Sequence, residues 1–188
     1  MNQLRVMFFF LAAFLFATTA AAGRAPESES IMIQQLNGAY ELTVPVSRLV
    51  ATIPRGDLVP VKNSSAAEES PQYFILENDT LHLIISGWFV AEQGFPGFRE
   101  YWEDRTNQWR DNGRPTPQAV SFARISGWDA ILYDLATPFA ANSHISAHWV
   151  QAGTWIDLHL SITSDRTTTE NRAKLKSVLK TIQVRQKE

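Results

Sequence analysis

The strongest constraint on this chain lies near its carboxyl end, where Ser143–Val150 and Thr154–Thr163 alternate with a period of two around Ala152-Gly153. Alternation of this kind is the mark of a strand with one buried face. A two-residue connection at Ala152-Gly153 sets Gln151 opposite Thr154, Val150 opposite Trp155, His148 opposite Asp157, Ser146 opposite His159 and His144 opposite Ser161. Cross-strand partners project to the same side. His144, His148, Asp157, His159 and Trp155 therefore share one face, and Ile145, Ala147, Trp149, Ile156, Leu158 and Leu160 share the other. A three-residue loop would mix the two sets and drop imidazoles among aliphatic side chains, so the pattern rejects it. The expectation is that the aliphatic face turns inward to the helices and the imidazole face turns away.

Three further hairpins are legible upstream. Tyr40–Val44 and Leu49–Pro54 pair with Val44 opposite Leu49, which puts Tyr40, Leu42, Val44, Leu49, Ala51 and Ile53 on one face. Tyr73–Glu77 and Thr80–Val90 turn at Asn78-Asp79 with Leu76 opposite Leu81. Both faces of that pair are substantially apolar, which predicts a central position with cover on each side. Val120–Ile125 and Trp128–Leu135 turn at Ser126-Gly127, a register that faces Arg124 with Asp129. Between Arg55 and Gln72, glycine, proline and a polar run predict a long surface loop.

Two segments change period. Pro96 opens a predicted helix that runs to about Asn112 and closes at Gly113, with Phe98, Tyr101, Trp102 and Trp109 near one stripe. Its carboxylates Glu100, Glu103 and Asp104 sit among Arg99, Arg105 and Arg110, the pattern of a charge-laced outer face. A second helix starts at Thr167, where Glu170 completes the spacing of a capping box, and carries the stripe Leu175, Val178, Leu179 and Ile182. The predicted fold class is α+β: a single antiparallel sheet of sequential hairpins with two main helices packed on it.

The first 22 residues have the layout of a cleavable secretory signal: one charge at Arg5, an apolar Val6–Ala17 core and small residues up to Ala22. That core is short for a membrane span. The expected organisation is a signal peptide over 1–22 and one globular domain over 23–188, working in the periplasm or outside the cell without a membrane anchor. All six Trp lie in the latter part. The chain has no Cys, so its core holds it without disulfides and a cysteine nucleophile is excluded. A formal net charge of −2 gives no basic face for nucleic acid. Nucleophile-elbow, P-loop and H-E-x-x-H motifs are all missing from the sequence.

Tyr40–Pro54, the Leu81–Gly113 passage from strand to helix and the Ala173–Val184 ending together resemble the PsbP-like group of α/β/α sandwich domains. The resemblance implies a non-enzymatic scaffold that binds a protein partner or assists assembly; it carries no family binding residue. The expectation is an exported binding or assembly protein without a cofactor, in one version an immunity-type factor. Its partner-contact candidates are Trp155, His144, His148, Asp157 and His159. The alternative is a metal-binding protein or metal-dependent enzyme using His144, His148, Asp157 and His159, since imidazole and carboxylate on neighbouring strands suit a divalent ion.

Overall fold

A computed structural model describes residues 30–61, 72–136, 140–165 and 167–187. The signal-peptide expectation lies outside the described residues, as does most of the polar run between Arg55 and Gln72.

The hairpin predicted first is β2 (Ala39–Thr43) with β3 (Leu49–Pro54), paired as Thr43 with Val50 and Tyr40 with Ile53. This is the expected register, and Tyr40, Leu42, Leu49, Ala51 and Ile53 are all buried. Two strands that the sequence pattern did not announce extend it. They are β1 (Met32–Leu36), on the outer side of β2, and β11 (Gln183–Gln186), beside β3. Every residue of β1 is exposed, so no buried alternation marks it.

The larger sheet has seven strands in the order β4-β5-β6-β10-β9-β8-β7. They are β4 (Val59–Pro60), β5 (Tyr73–Asn78), β6 (Leu83–Ala91), β7 (Gln118–Ile125), β8 (Trp128–Ala136), β9 (Ala141–Gln151) and β10 (Thr154–Ser164). All its pairings are antiparallel. The expected single sheet is thus corrected to two, of four and seven strands. The class, antiparallel α+β with two α-helices among the described residues, stands. The physical reason is burial: one face of the large sheet needs an apolar cover, and the small sheet supplies it.

That cover is the main core. Leu42, Leu49 and Ile53 of the small sheet meet Leu76, Ile85, Leu132, Ile145, Ile156, Leu158 and Leu160 of the large one. Helix α2 (Thr168–Thr181) adds Leu175 and Leu179 to it, with Ile182 just beyond. Thr167 caps α2 as predicted: its hydroxyl accepts from Glu170 N, and the Glu170 carboxylate accepts from Thr167 N.

Helix α1 (Phe98–Asp111) lies on the opposite face of the large sheet, where Trp102 and Trp109 pack on Ile131 and Tyr133. It starts after Gly97, at φ +99°, rather than on Pro96; a positive φ at the cap favours glycine. This placement corrects the predicted layering. One helix covers the imidazole face and the other the aliphatic face.

The last hairpin keeps the predicted register throughout, from Gln151–Thr154 to His144–Ser161. Ala152 at φ +51° and Gly153 at φ +79° form its turn. Arg124 faces Asp129 as expected. In the second hairpin, Leu76 pairs with Ile85 instead of Leu81, and residues 79–82 form a wider turn. The slip is even, so the two faces are conserved while Leu81 moves out to solvent.

Candidate functional site

Among the described residues, a cavity of about 290 Å³ forms beside α1, over β5, β6 and β10 of the large sheet. Register gives its floor. One row runs Tyr73, Trp88 and Asp157, with His148 next in the row but buried outside the lining, and the next runs Ile75, Ser86, His159 and Ser146. A third runs Glu77, Ile84, Ser161 and His144. Tyr101 and Arg105 close it from the helix, and Asn78, Asp79 and His82 form part of its rim. Tyr73, Ile75, Ile84 and Trp88 therefore line a cavity instead of lying under a helix, which corrects the expectation of cover on both faces of the second hairpin. The Tyr73 and Trp88 rings contact each other with centroids 5.3 Å apart, making an aromatic wall.

The five residues singled out from sequence share this face, yet they are not a solvated surface. His148 is 1% exposed, His144 and Asp157 4%, and Trp155 7%. His159 is half-buried and lines the cavity with His144 and Asp157. α1 and the Phe95 segment cover these side chains: the Phe95 ring lies against His148 and Trp155, and Tyr101 against both as well. Trp155 packs against Phe95 with centroids 4.9 Å apart and rings tilted by 41°, and meets Tyr101 edge-on at 5.7 Å.

The four candidate ligating residues fall into two separate pairs. His144 Nδ1 lies 3.1 Å from His159 Nε2, which is also 3.2 Å from the Tyr133 hydroxyl. His148 Nδ1 lies 3.4 Å from Asp157 Oδ1 and accepts from Trp155 Nε1. Among the described residues no group of three or more His, Cys, Asp or Glu converges on one ion position.

Burial governs the protonation of all three imidazoles. Loss of solvation pushes His144 down to about 3 from 6.5, with the Arg105 charge adding to the effect. His159 is held well below the ordinary histidine value by desolvation, then by His144 and Arg105. His148 is lowered by desolvation, against the opposing pull of Asp157. At neutral pH they are uncharged hydrogen-bonding groups. The tyrosines shift the other way: burial raises Tyr73, Tyr101 and Tyr133, so all stay protonated.

Arg105 is the residue that the sequence reading misplaced. It belongs to the inward row Tyr101, Arg105, Trp109, spaced four apart, and not to the outer charged face. Its guanidinium lies 5.3 Å from the Trp109 ring centroid and donates from Nη1 to the Tyr101 hydroxyl at 2.9 Å. That hydroxyl in turn donates to Asp157 Oδ2 at 3.0 Å. A charge within an apolar stripe is the signal that could have found it. Among the described residues Arg105 takes part in no salt bridge, and its Nε is sealed without a hydrogen-bond partner. The imidazole Nε2 atoms of His144 and His148 are sealed and unpartnered too.

Both oxygens of Asp157 are engaged, one by Tyr101 and one beside His148. The arrangement can hold a small molecule against an aromatic wall and offer it neutral imidazoles, hydroxyls and one fixed cation.

No protein-family model matches the chain, and no curated protein matches it. Among solved structures it is similar to a crystal structure of a protein from Bacteroides thetaiotaomicron, at 11% identity and a TM-score of 0.41, over 74% of this chain. The chain spans 46% of that protein's length. No helix of the described residues is long and apolar enough to cross a membrane.

Proposed function

We propose that this chain is an exported, non-catalytic binding protein whose ligand is a small organic molecule held in the cavity between α1 and the β5-β6-β10 part of the sheet. The observation that carries the reading is the cavity of about 290 Å³, a size suited to a small ligand, with an aromatic wall and convergent polar groups. Export is supported by the signal-like first 22 residues. A protein partner, if the chain has one, would meet surfaces other than the buried Trp155, His144, His148 and Asp157.

Filling the cavity tests the reading. Ser161 stands on its floor, opposite Ile84 and His144. A small-molecule collection screened by melting temperature against the protein and a Ser161→Trp variant should give compounds that stabilise the former alone. Compounds that stabilise both equally, or none at all, would count against the cavity.

A further inference from the structure

We infer that the ligand of this cavity is a monoanion, a carboxylate carried on a flat apolar or aromatic body, with Arg105 as its counter-charge. The inference rests on the small-molecule reading above and adds the chemical class. Two independent observations carry it. The first is the state of Arg105. A guanidinium presents several donors in a planar fork, and removing it from water is costly without an acceptor that carries charge. Here its acceptors are neutral hydroxyls, those of Tyr101 and Tyr133, while Nε has none. Asp157 accepts from the Tyr101 hydroxyl and forms no ion pair with the guanidinium among the described residues, so it compensates the charge from a distance. The second is the opposing wall: Tyr73 and Trp88 present ring surface in the same cavity, which favours a flat body over a bare ion.

The charge count sets the valence. Arg105 is the fixed cation among the described lining residues, and desolvation keeps His144 and His159 uncharged at neutral pH. Glu77, Asp79 and Asp157 are there as well. Carboxylates thus outnumber the guanidinium, so each further negative charge on a ligand adds repulsion: a phosphate monoester dianion brings two, whereas a carboxylate brings one and still accepts charge-assisted hydrogen bonds from the guanidinium. Hydroxyls of Ser86 and Ser161 on the floor offer further donors.

Three probes of one shape separate charge from fit: phenylacetate, its neutral amide phenylacetamide, and the cation 2-phenylethylamine. Titration of the full protein is followed by tryptophan fluorescence with Trp88 on the cavity wall. Phenylacetate should bind at least about tenfold more tightly than either analogue, the preference expected of a charge-assisted pair. In Arg105→Gln the preference should vanish, and in Arg105→Lys it should survive in weakened form. Far-UV circular dichroism of each variant reports whether the fold is kept, and the comparison of the three probes on the unsubstituted protein needs no variant. Equal affinity for acid, amide and amine overturns the inference while ligand binding itself stands. No saturable signal from any of the three overturns it as well, and the Ser161→Trp comparison then decides separately whether the cavity holds a ligand.

Discussion

The Trp155 indole N–H donates to His148 Nδ1 across 3.2 Å, between strands β10 and β9. Indole nitrogen can only donate, so Nδ1 is the bare nitrogen and the neutral ring carries its hydrogen on Nε2. The same Nδ1 lies 3.4 Å from Asp157 Oδ1, an arrangement that becomes attractive only when Nδ1 itself carries a hydrogen. Trp155 and Asp157 thus compete for one atom, and the indole holds the neutral form.

Trp155→Phe should raise the His148 pKa, because the donor that favours the bare nitrogen is gone and the carboxylate remains. Phenylalanine fills only part of the buried indole's space, so the stability loss should be about 1–3 kcal/mol, one neutral hydrogen bond plus the cavity left behind. An NMR titration of the His148 ring protons checks the direction. An unchanged or lower pKa would show that the indole does not set the tautomer.

Three buried imidazoles predict a steep acid limb. Each has a folded-state pKa below the unfolded value of 6.5, with His144 at about 3. Between those values the unfolded chain binds more protons than the folded one, so stability falls as pH falls. Stability is fully present above the unfolded value and is lost progressively from about 6.5 toward 3, by up to ~1.4 kcal/mol per pH unit for each histidine. Urea unfolding at a series of pH values measures the slope. His144→Gln should flatten it by about one proton's worth, and a slope unaltered by that change would remove His144 from the account.

The turn between β9 and β10 offers a gain in stability. Ala152 sits at φ +51° and Gly153 at φ +79°, the double positive φ of a type I′ turn. An alanine there is strained by its Cβ, while asparagine tolerates the region well. Ala152→Asn should stabilise the protein by about 0.5–1 kcal/mol, read as a higher urea midpoint with an unchanged m-value. A lower midpoint would mean that the neighbouring strands, rather than the turn, dictate the strain.

How far the fold was legible follows from the same hairpins. Registers that a tight turn and alternation fix together, Val44 toward Leu49 and His148 with Asp157, were readable residue by residue. The Thr167–Glu170 cap was readable because it is local. Alternation states which side chains share a face, but not what lies over that face. Hence the large sheet's two covers were read as one, and α1 was set away from the imidazoles. The edge strands β1 and β11 bury too little to leave a pattern: β11 has only Val184 half-buried. Arg105 was hidden by composition. Its neighbours Glu103 and Asp104 suggested an outer charged face, although its spacing to Tyr101 and Trp109 pointed inward.

Gly87 links the sheet to the cavity. It stands in β6 opposite Leu158, and a Cβ there would run into the backbone carbonyl oxygen of Asp157. The obstruction is backbone, which cannot rotate aside as a long side chain would. Gly87→Ala should therefore push β6 from β10 and cost about 1–3 kcal/mol, the usual penalty of overpacking. The displacement should also be felt at Asp157, whose Oδ2 accepts from Tyr101, and so at the guanidinium that Tyr101 supports. Two measurements follow from one variant: a lower urea midpoint, and weaker phenylacetate binding under conditions where the variant is still folded. A loss of stability with ligand affinity intact would mean that the strand spacing at Gly87 serves the core alone and not the placement of Arg105.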